Sequence, residues 1–315
     1  MSVNIGRWFI LDGRLRSGWR VALYLGGYLT ALLAIQLPAG VLYVGYLMLR
    51  GRGDMADVLA AIQPADLPLW FLLLLKFFEL LALLLLTFAF CRWLDRRDFA
   101  SLGFHRRRGW GWEALIGLGL GGAQMCFIFA VEWAGGLLSV GLLDGRALLQ
   151  GLARGGLAVL LFGLVAVGEE LMFRGYLLVN LHQGAGPVVG LGLSSLLFGL
   201  FHALNPNFNL IALFNITLAG LVFGYAWLVT GNLWLPMAYH FSWNFFQGPV
   251  FSLPVSGVRY GGLLAVSDRG MVSIITGDAF GPEGGLVGTV ALLSALPVLW
   301  AWGRWQRHEK VRAGA

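Results

Sequence analysis

A mostly apolar part of the chain is interrupted by two adjacent glutamates, one arginine and two histidines. These residues are Glu169, Glu170, Arg174, His202 and His240. A charged side chain within a bilayer is costly unless it faces the protein interior or a wet cavity, so such residues mark function by default. A carboxylate beside an imidazole can take a proton from water, and a second imidazole can hydrogen-bond a forming oxyanion. The residue types therefore indicate hydrolysis in apolar surroundings.

The spacing of the two glutamates gives them different partners. In the segment GEELMFRG, Glu170 and Arg174 are four residues apart, so they share one face of a helix and can form an ion pair. Glu169 projects about 100° away around the helix axis. We therefore expect one carboxylate to be neutralised and the other to be free for chemistry.

Two further segments each place a histidine four residues from a second side chain. Phe198 and His202 share a helix face in FGLFH, where Phe198 is most simply a packing residue, and His240 and Asn244 share a face in HFSWN. Asn244 adds a carboxamide that can donate a hydrogen bond to an oxyanion. The spacing predicts that three helices each present one polar stripe to a shared buried layer, with the groups needed to hydrolyse an amide.

The composition identifies the solvent around these helices as lipid. Of the 315 residues, 12% are charged and 58% are hydrophobic, and the mean hydropathy is +0.75. Soluble domains carry roughly a quarter charged residues. So much apolar surface cannot be buried in one aqueous core, and two cysteines cannot support a disulfide scaffold. We predict an all-α, polytopic transmembrane helical bundle.

Eight apolar runs are each long enough, or nearly so, for a tilted membrane-spanning helix of about 20 residues. They extend over residues 20–49, 68–90, 113–138, 156–180, 187–204, 208–229, 232–252 and 285–303. We expect about eight spans in a single integral membrane domain, residues 1–315. Residues 1–19 are interpreted as an interfacial N-terminal segment, and residues 253–284 as one long connection that acts as a lid or as a plain tether.

The basic residues predict the orientation of the bundle. Fourteen of the 22 Lys and Arg residues fall at the two termini and in the loop at 91–112, against six in the opposite loops. Cytoplasmic loops carry the excess of basic residues, so we expect both termini in the cytoplasm and the 253–284 loop on the far side. This bias also accounts for the net charge of +6, because basic loops at a bilayer contact lipid headgroups. A nucleic-acid partner is not needed to explain the charge.

Three segments in order, EELMFR, FGLFH and HFSWN, carry a family resemblance. They resemble the EExxxR, FxxxH and HxxxN/D motifs of the CAAX protease and bacteriocin-processing (CPBP, or Abi) family of intramembrane proteases, which includes the prenyl-protein CaaX endopeptidase. The resemblance covers residues 155–252, the expected catalytic core. It extends loosely to SLGF at 101–104 and FGPEGG at 280–285.

The resemblance implies a role for each matched residue. Glu169 with His202 activates the attacking water, and His240 with Asn244 stabilises the tetrahedral oxyanion. At the two remaining motif positions, Glu170 has a supporting role and Arg174 an orienting role. The implied substrate is a membrane-anchored or prenylated peptide or protein, cleaved at a CaaX-type tail or a leader peptide. The expected location is a bacterial cytoplasmic membrane.

The metal question stays open at the level of sequence. There is no HExxH motif, and the resemblance implies a glutamate-based mechanism without a cofactor. Glu169, His202 and His240 could nevertheless hold a zinc ion with water in the fourth position.

Two other functions use the same residues differently. One alternative is a non-catalytic immunity or adaptor protein that binds a bacteriocin or a sensor partner. A proton-coupled transporter would use the same Glu and His residues as a relay. An intramembrane aspartyl protease is excluded, since the GxGD at 51–54 lies in a loop and has no second intramembrane Asp.

Several intramembrane features are read as structural. Lys76 and Glu79 form an i, i+3 pair in the second run and Glu132 is isolated in the third, so we expect them to be structural or cavity-facing. The glycine steps at 117–121 and 220–224 are typical of close helix packing.

Overall fold

The chain folds as a bundle of helices with very little sheet, which confirms the predicted fold class. The computed structural model describes residues 9–11, 13–51, 54, 56–58, 62–63, 67–106, 109–270 and 272–312. Within these ranges the long helices run through apolar sequence, and many of their large hydrophobic side chains are exposed. An exposed apolar helix surface of this kind belongs in lipid, so the protein is an integral membrane protein.

The helices and strands are numbered here in chain order. The helices are α1 (Ser17–Leu49), α2 (Leu69–Ala89), α3 (Trp110–Ala134), α4 (Gly145–Glu170), α5 (Leu178–Ala185), α6 (Pro187–Phe201), α7 (Leu210–Thr230), α8 (Trp234–Phe245), α9 (Ser273–Thr276) and α10 (Leu286–Arg312). The strands are β1 (Ile10–Leu11), β2 (Arg14–Leu15), β3 (Leu138–Leu142) and β4 (Leu264–Asp268). Single π-helical turns continue α2, α4 and α8 over Phe90–Asp95, Leu171–Leu177 and Phe246–Val250.

Each of the eight apolar runs coincides with a helix. Among the described residues, six continuous helices are long and apolar enough to cross a membrane. The other two are α6, with 15 residues, and α8, which with its π turn ends at Val250. At 1.5 Å per residue, α6 is about 22 Å long, which is less than the roughly 30 Å hydrocarbon core. His202 directly follows the first of these shorter helices, and His240 lies within the second.

The N-terminal segment differs in part from the expectation. The residues that are described within 1–19 form a small antiparallel hairpin, β1 with β2, and α1 already begins at Ser17. Residues 1–8 and Asp12 lie outside the described part of the chain, and the interfacial position of this segment stays a prediction. Helix α1 is continuous over its 33 residues with Pro38 inside it.

The connection at 253–284 is folded and is not a plain tether. Strand β4 pairs with β3 in antiparallel register, from Leu138 opposite Asp268 to Leu142 opposite Leu264. This pairing ties the connection to the segment between α3 and α4. Sequence periodicity could not reveal it, because the two short strands are more than 100 residues apart and only tertiary contacts bring them together.

Helix α3 packs closely on α8 through two glycines. A Cβ atom built on Gly117 would lie 2.4 Å from the carbonyl oxygen of Leu235, and one on Gly121 would lie 2.6 Å from that of Tyr239. Gly220 and Gly224 of α7 have similarly little room against α6. The structure therefore confirms close packing at both glycine steps, and this packing fixes the helices that bear the site.

Candidate active site

The two glutamates lie where α4 changes its winding. Glu169 and Glu170 are the last residues of α4, and the next seven residues, Leu171–Leu177, form a π-helical turn that includes Arg174. Such turns are rare in proteins overall, and those that occur often lie at functional sites. All seven residues of the turn are buried, so it is held rigidly by its surroundings.

Glu170 joins the arginine of its own helix to the histidine of α8. Its Oε1 atom accepts a hydrogen bond from Nη1 of Arg174 at 2.8 Å and lies 2.9 Å from Nδ1 of His240. The side chains of Glu170 and Arg174 are 0% and 1% exposed. The predicted ion pair is therefore present, and it also orients an imidazole from a second helix.

Arg174 is enclosed by aromatic rings and one backbone carbonyl. Its guanidinium carbon lies 4.2 Å from the ring centre of Phe198 and 5.2 Å from that of Phe223. Its Nη2 atom donates to the carbonyl oxygen of Gly220 in α7 at 3.3 Å. Cation–π contacts of this kind are strongest when they are shielded from water. Phe198 packs as expected and in addition covers the arginine.

Glu169 occupies the position between the two histidines. Its Oε2 atom lies 3.9 Å from Nε2 of His202 and 3.9 Å from Nε2 of His240. These distances exceed a hydrogen bond, and this buried oxygen has no hydrogen-bond partner within the described part of the chain. The structure therefore places Glu169 beside both imidazoles without a direct hydrogen bond at Oε2, and away from the Glu170–Arg174 pair, as its position on the helix predicted.

Both histidines present Nε2 to Glu169 because their Nδ1 atoms are engaged elsewhere. Nδ1 of His202 lies 2.8 Å from the carbonyl oxygen of Phe198, and a carbonyl can only accept, so Nδ1 carries the proton. Nδ1 of His240 donates to the carboxylate of Glu170 in the same way. His202 was expected inside a span, but it lies in the turn directly after α6.

Asn244 shares the α8 face of His240 and lines the same cavity. The cavity has a volume of about 410 Å³, within the usual size range of small-molecule sites. Glu169, His202, His240 and Asn244 all contribute to its wall, whereas Glu170 and Arg174 lie behind it. The six predicted residues are thus brought together, four at the cavity and two in support.

A second polar group lines the cavity from α1 and α2. Lys76 Nζ lies 2.7 Å from Glu79 Oε2, and Gln36 donates to Glu79 Oε1 at 2.7 Å. These three residues line the cavity, which confirms the cavity-facing interpretation of the pair. Glu132 is 1% exposed and does not contribute to the cavity wall.

Sequence reasoning missed Glu283 as part of the site. It lies in the short 3₁₀ turn Pro282–Gly284, lines the cavity, and accepts a hydrogen bond at Oε2 from the backbone N–H of Ser256 at 2.6 Å. Burial raises its pKa above the usual value for a glutamate. The weak resemblance at FGPEGG was the available signal, since Glu283 is the one glutamate of the 253–284 connection.

Metal binding at this site stays an open prediction. Among the described residues, no group of three His, Cys, Asp or Glu side chains has an arrangement that could hold a metal ion. The donor types of Glu169, His202 and His240 suit zinc chemically, so the question is decided by experiment.

Comparison with known protein families gives a match for part of the chain. Residues 153–246 match the family described as type II CAAX prenyl endopeptidase, Rce1-like. No curated protein and no solved structure matches the chain. The matched stretch includes all six predicted site residues, from Glu169 to Asn244. The matched stretch contributes Glu169, His202, His240 and Asn244 to the cavity wall, and the match supports a CAAX protease family assignment.

Proposed function

We propose that this protein is an intramembrane endopeptidase that hydrolyses a peptide bond close to the membrane. The observation that carries the proposal is the unpaired Oε2 of Glu169 at 3.9 Å from both Nε2 of His202 and Nε2 of His240. A water oxygen can lie within hydrogen-bond distance of all three atoms. The carboxylate is then the base, His202 orients the water, and His240 lies on the other side of the carboxylate, where it can reach the substrate carbonyl.

The residues divide the hydrolytic steps among them. Glu169 takes a proton from the water as its oxygen attacks the carbonyl carbon of the scissile bond, with His202 holding the water in line. The carbonyl oxygen becomes an oxyanion. Protonated His240 donates to it through Nε2, and Asn244 donates through its amide nitrogen. Glu170 stabilises the imidazolium because it accepts from Nδ1.

The surroundings of the cavity favour a substrate with an apolar anchor. Its wall includes Leu80, Leu83, Phe162, Met172 and Phe201 beside the polar groups. The family match favours a prenylated carboxyl-terminal tail over a leader peptide as the substrate, since the matched family is described as prenyl endopeptidases. With the predicted orientation, the reaction takes place within the membrane and both termini of the protein lie in the cytoplasm.

Purified protein in detergent or nanodiscs tests this function. The substrates are a farnesylated CaaX peptide, the same peptide without the lipid, and a leader peptide, each with and without a strong chelator. We expect cleavage of the prenylated peptide at the same rate in both conditions. Chelator inhibition that is reversed by zinc would support the metal alternative, and absence of cleavage in all three peptides would contradict the proposed function.

A further inference from the structure

The folded connection at 253–284 inserts a carboxyl group into the active-site cavity. Glu283 lines the same cavity as Glu169 and His202. The turn that carries it is anchored on α7, where Asn215 Nδ2 donates to the carbonyl oxygen of Glu283 at 3.0 Å and to that of Gly285 at 2.8 Å. The backbone of this turn is therefore held in place from a helix that also lines the cavity.

The hydrogen bonds of this carboxyl fix the location of an acid proton. Oε2 of Glu283 accepts from the backbone N–H of Ser256 at 2.6 Å and from Nε2 of Gln247 at 3.1 Å. Two donors occupy both lone pairs of this oxygen. When Glu283 is protonated, the proton must therefore be on Oε1.

The contacts of the connection place Glu283 on the His202 side of the cavity. Gly257, next to Ser256, has a positive φ of +87° and packs so closely on the turn after His202 that a Cβ there would lie 2.0 Å from the carbonyl oxygen of Pro206. Only glycine fits this contact. The segment that donates to Glu283 is thus pressed against the turn that holds His202.

Among the described residues, seven other titratable groups line the cavity with Glu283: His202, Tyr260, Glu169, His240, Glu79, Lys76 and Tyr28. His202 and Tyr260 are the two whose charges interact with Glu283. Burial raises the pKa of Glu283, and the N–H donors of Ser256 and Gln247, together with His202, oppose this rise only in part. Burial also raises the pKa of Tyr260 to about 12, with the charges of Glu283 and Glu169 adding to the effect. The tyrosine is therefore neutral over the working range and close to both carboxyl groups.

We propose that Glu283 is a second catalytic carboxyl, the acid that protonates the departing amine. This role rests on the proposed peptidase function. In the collapse of the tetrahedral intermediate the C–N bond breaks, the carbonyl reforms, and the nitrogen takes the proton from Oε1 of Glu283. Glu283 is left as a carboxylate. The proton that Glu169 took from water then passes to Glu283 through solvent in the cavity, so both groups return to their starting states.

Comparison of an amide and an ester substrate tests this role in the unaltered protein. An alkoxide can leave the tetrahedral intermediate without being protonated. An amine can leave only after an acid has protonated its nitrogen. The donor must be protonated, so amide cleavage should fall as the pH rises through the pKa of Glu283, while cleavage of the matched ester should lack this alkaline limb. Glu169, His202 and protonated His240 act on both substrates, so any pH dependence that they produce appears with amide and ester alike and cannot cause such a difference.

Substitution E283Q provides the matching variant test. Glutamine keeps the acceptor for Ser256 and Gln247 but has no acid proton. We expect kcat for the amide to fall about 100-fold or more, ester cleavage to stay within about threefold, and KM to change little. The control E132Q replaces a buried glutamate that does not line the cavity, and it should leave both rates unchanged.

The outcomes separate this role from a structural one and from the proposed function. An unchanged amide rate in E283Q, or an alkaline limb of the same size for amide and ester in the unaltered protein, overturns the proposal. If E283Q does not fold, as judged by its thermal transition, the substrate comparison in the unaltered protein decides alone. If the unaltered protein cleaves neither substrate, the peptidase function fails, and the role of Glu283 fails with it.

Discussion

Oε1 of Glu170 lies 2.9 Å from Nδ1 of His240, although the two residues are 70 positions apart in the chain. The same oxygen accepts from Arg174, so one atom connects the ion pair of α4 to the imidazole of α8. This contact fixes which nitrogen of His240 faces the cavity. A residue behind the cavity wall can in this way set which atom a residue in the wall presents to the cavity.

The first prediction concerns this contact. Substitution E170Q replaces a carboxylate acceptor with a neutral amide, which stabilises protonated His240 less well. We expect kcat to fall about ten- to a hundredfold, by analogy with the loss seen when a metal-ligating histidine loses its carboxylate partner. Measured kcat and KM for a prenylated peptide give the answer, with KM nearly unchanged because Glu170 does not line the cavity. A change in KM alone would contradict the positioning role.

The second prediction separates a protease from an adaptor. Substitution E169Q keeps the shape of the side chain but removes the base, so we expect cleavage to fall by about two to four orders of magnitude. The thermal transition should hardly change, since Oε2 of Glu169 makes no hydrogen bond within the described residues.

The cellular readout of E169Q completes this test. If the protein acts by cleavage, any protection or signalling that depends on it should disappear together with proteolysis. Persistence of that phenotype in cells that contain normal amounts of E169Q protein would instead support the immunity or adaptor alternative. E132Q serves again as the matched control, because it alters a buried glutamate away from the cavity.

The third prediction concerns stability. Substitution R174M removes the cation from a pair whose side chains are 1% and 0% exposed. Among the described residues, it leaves Glu170 with His240 as its remaining side-chain partner. Breaking a buried pair from one side typically costs about 3–5 kcal/mol. We expect a clearly lowered thermal transition in detergent. The double substitution E170M/R174M removes both charges and should recover much of the loss, and no recovery would contradict this explanation.

The sequence contained enough information to predict the helices and most of the candidate site. Charged residues are so costly in lipid that Glu169, Glu170 and Arg174 stood out, and the four-residue spacing correctly predicted the ion pair and the free carboxylate. The apolar runs likewise located each long helix, since a span in lipid must satisfy its own backbone hydrogen bonds.

The remaining parts of the site depend on contacts between distant segments. No local pattern shows that Glu283 reaches the cavity, because its place is set by Asn215 of α7 and by the turn at Ser256. The contact of Glu170 with His240 depends on how α4 meets α8, which helical spacing within one segment cannot specify. Interhelical geometry of this kind emerges only from packing.

The fourth prediction tests whether α3 positions α8. Substitution G121L would force a side chain into a space where even a Cβ lies 2.6 Å from the carbonyl oxygen of Tyr239, whereas G119L on the same helix has nothing within 4 Å. Overpacking of this kind typically costs about 1–3 kcal/mol. We expect G121L to displace His240 and Asn244, so both kcat and the thermal transition fall, while G119L behaves like the unaltered protein. Equal effects of the two substitutions in activity and melting assays would show that the α3–α8 contact does not hold the site.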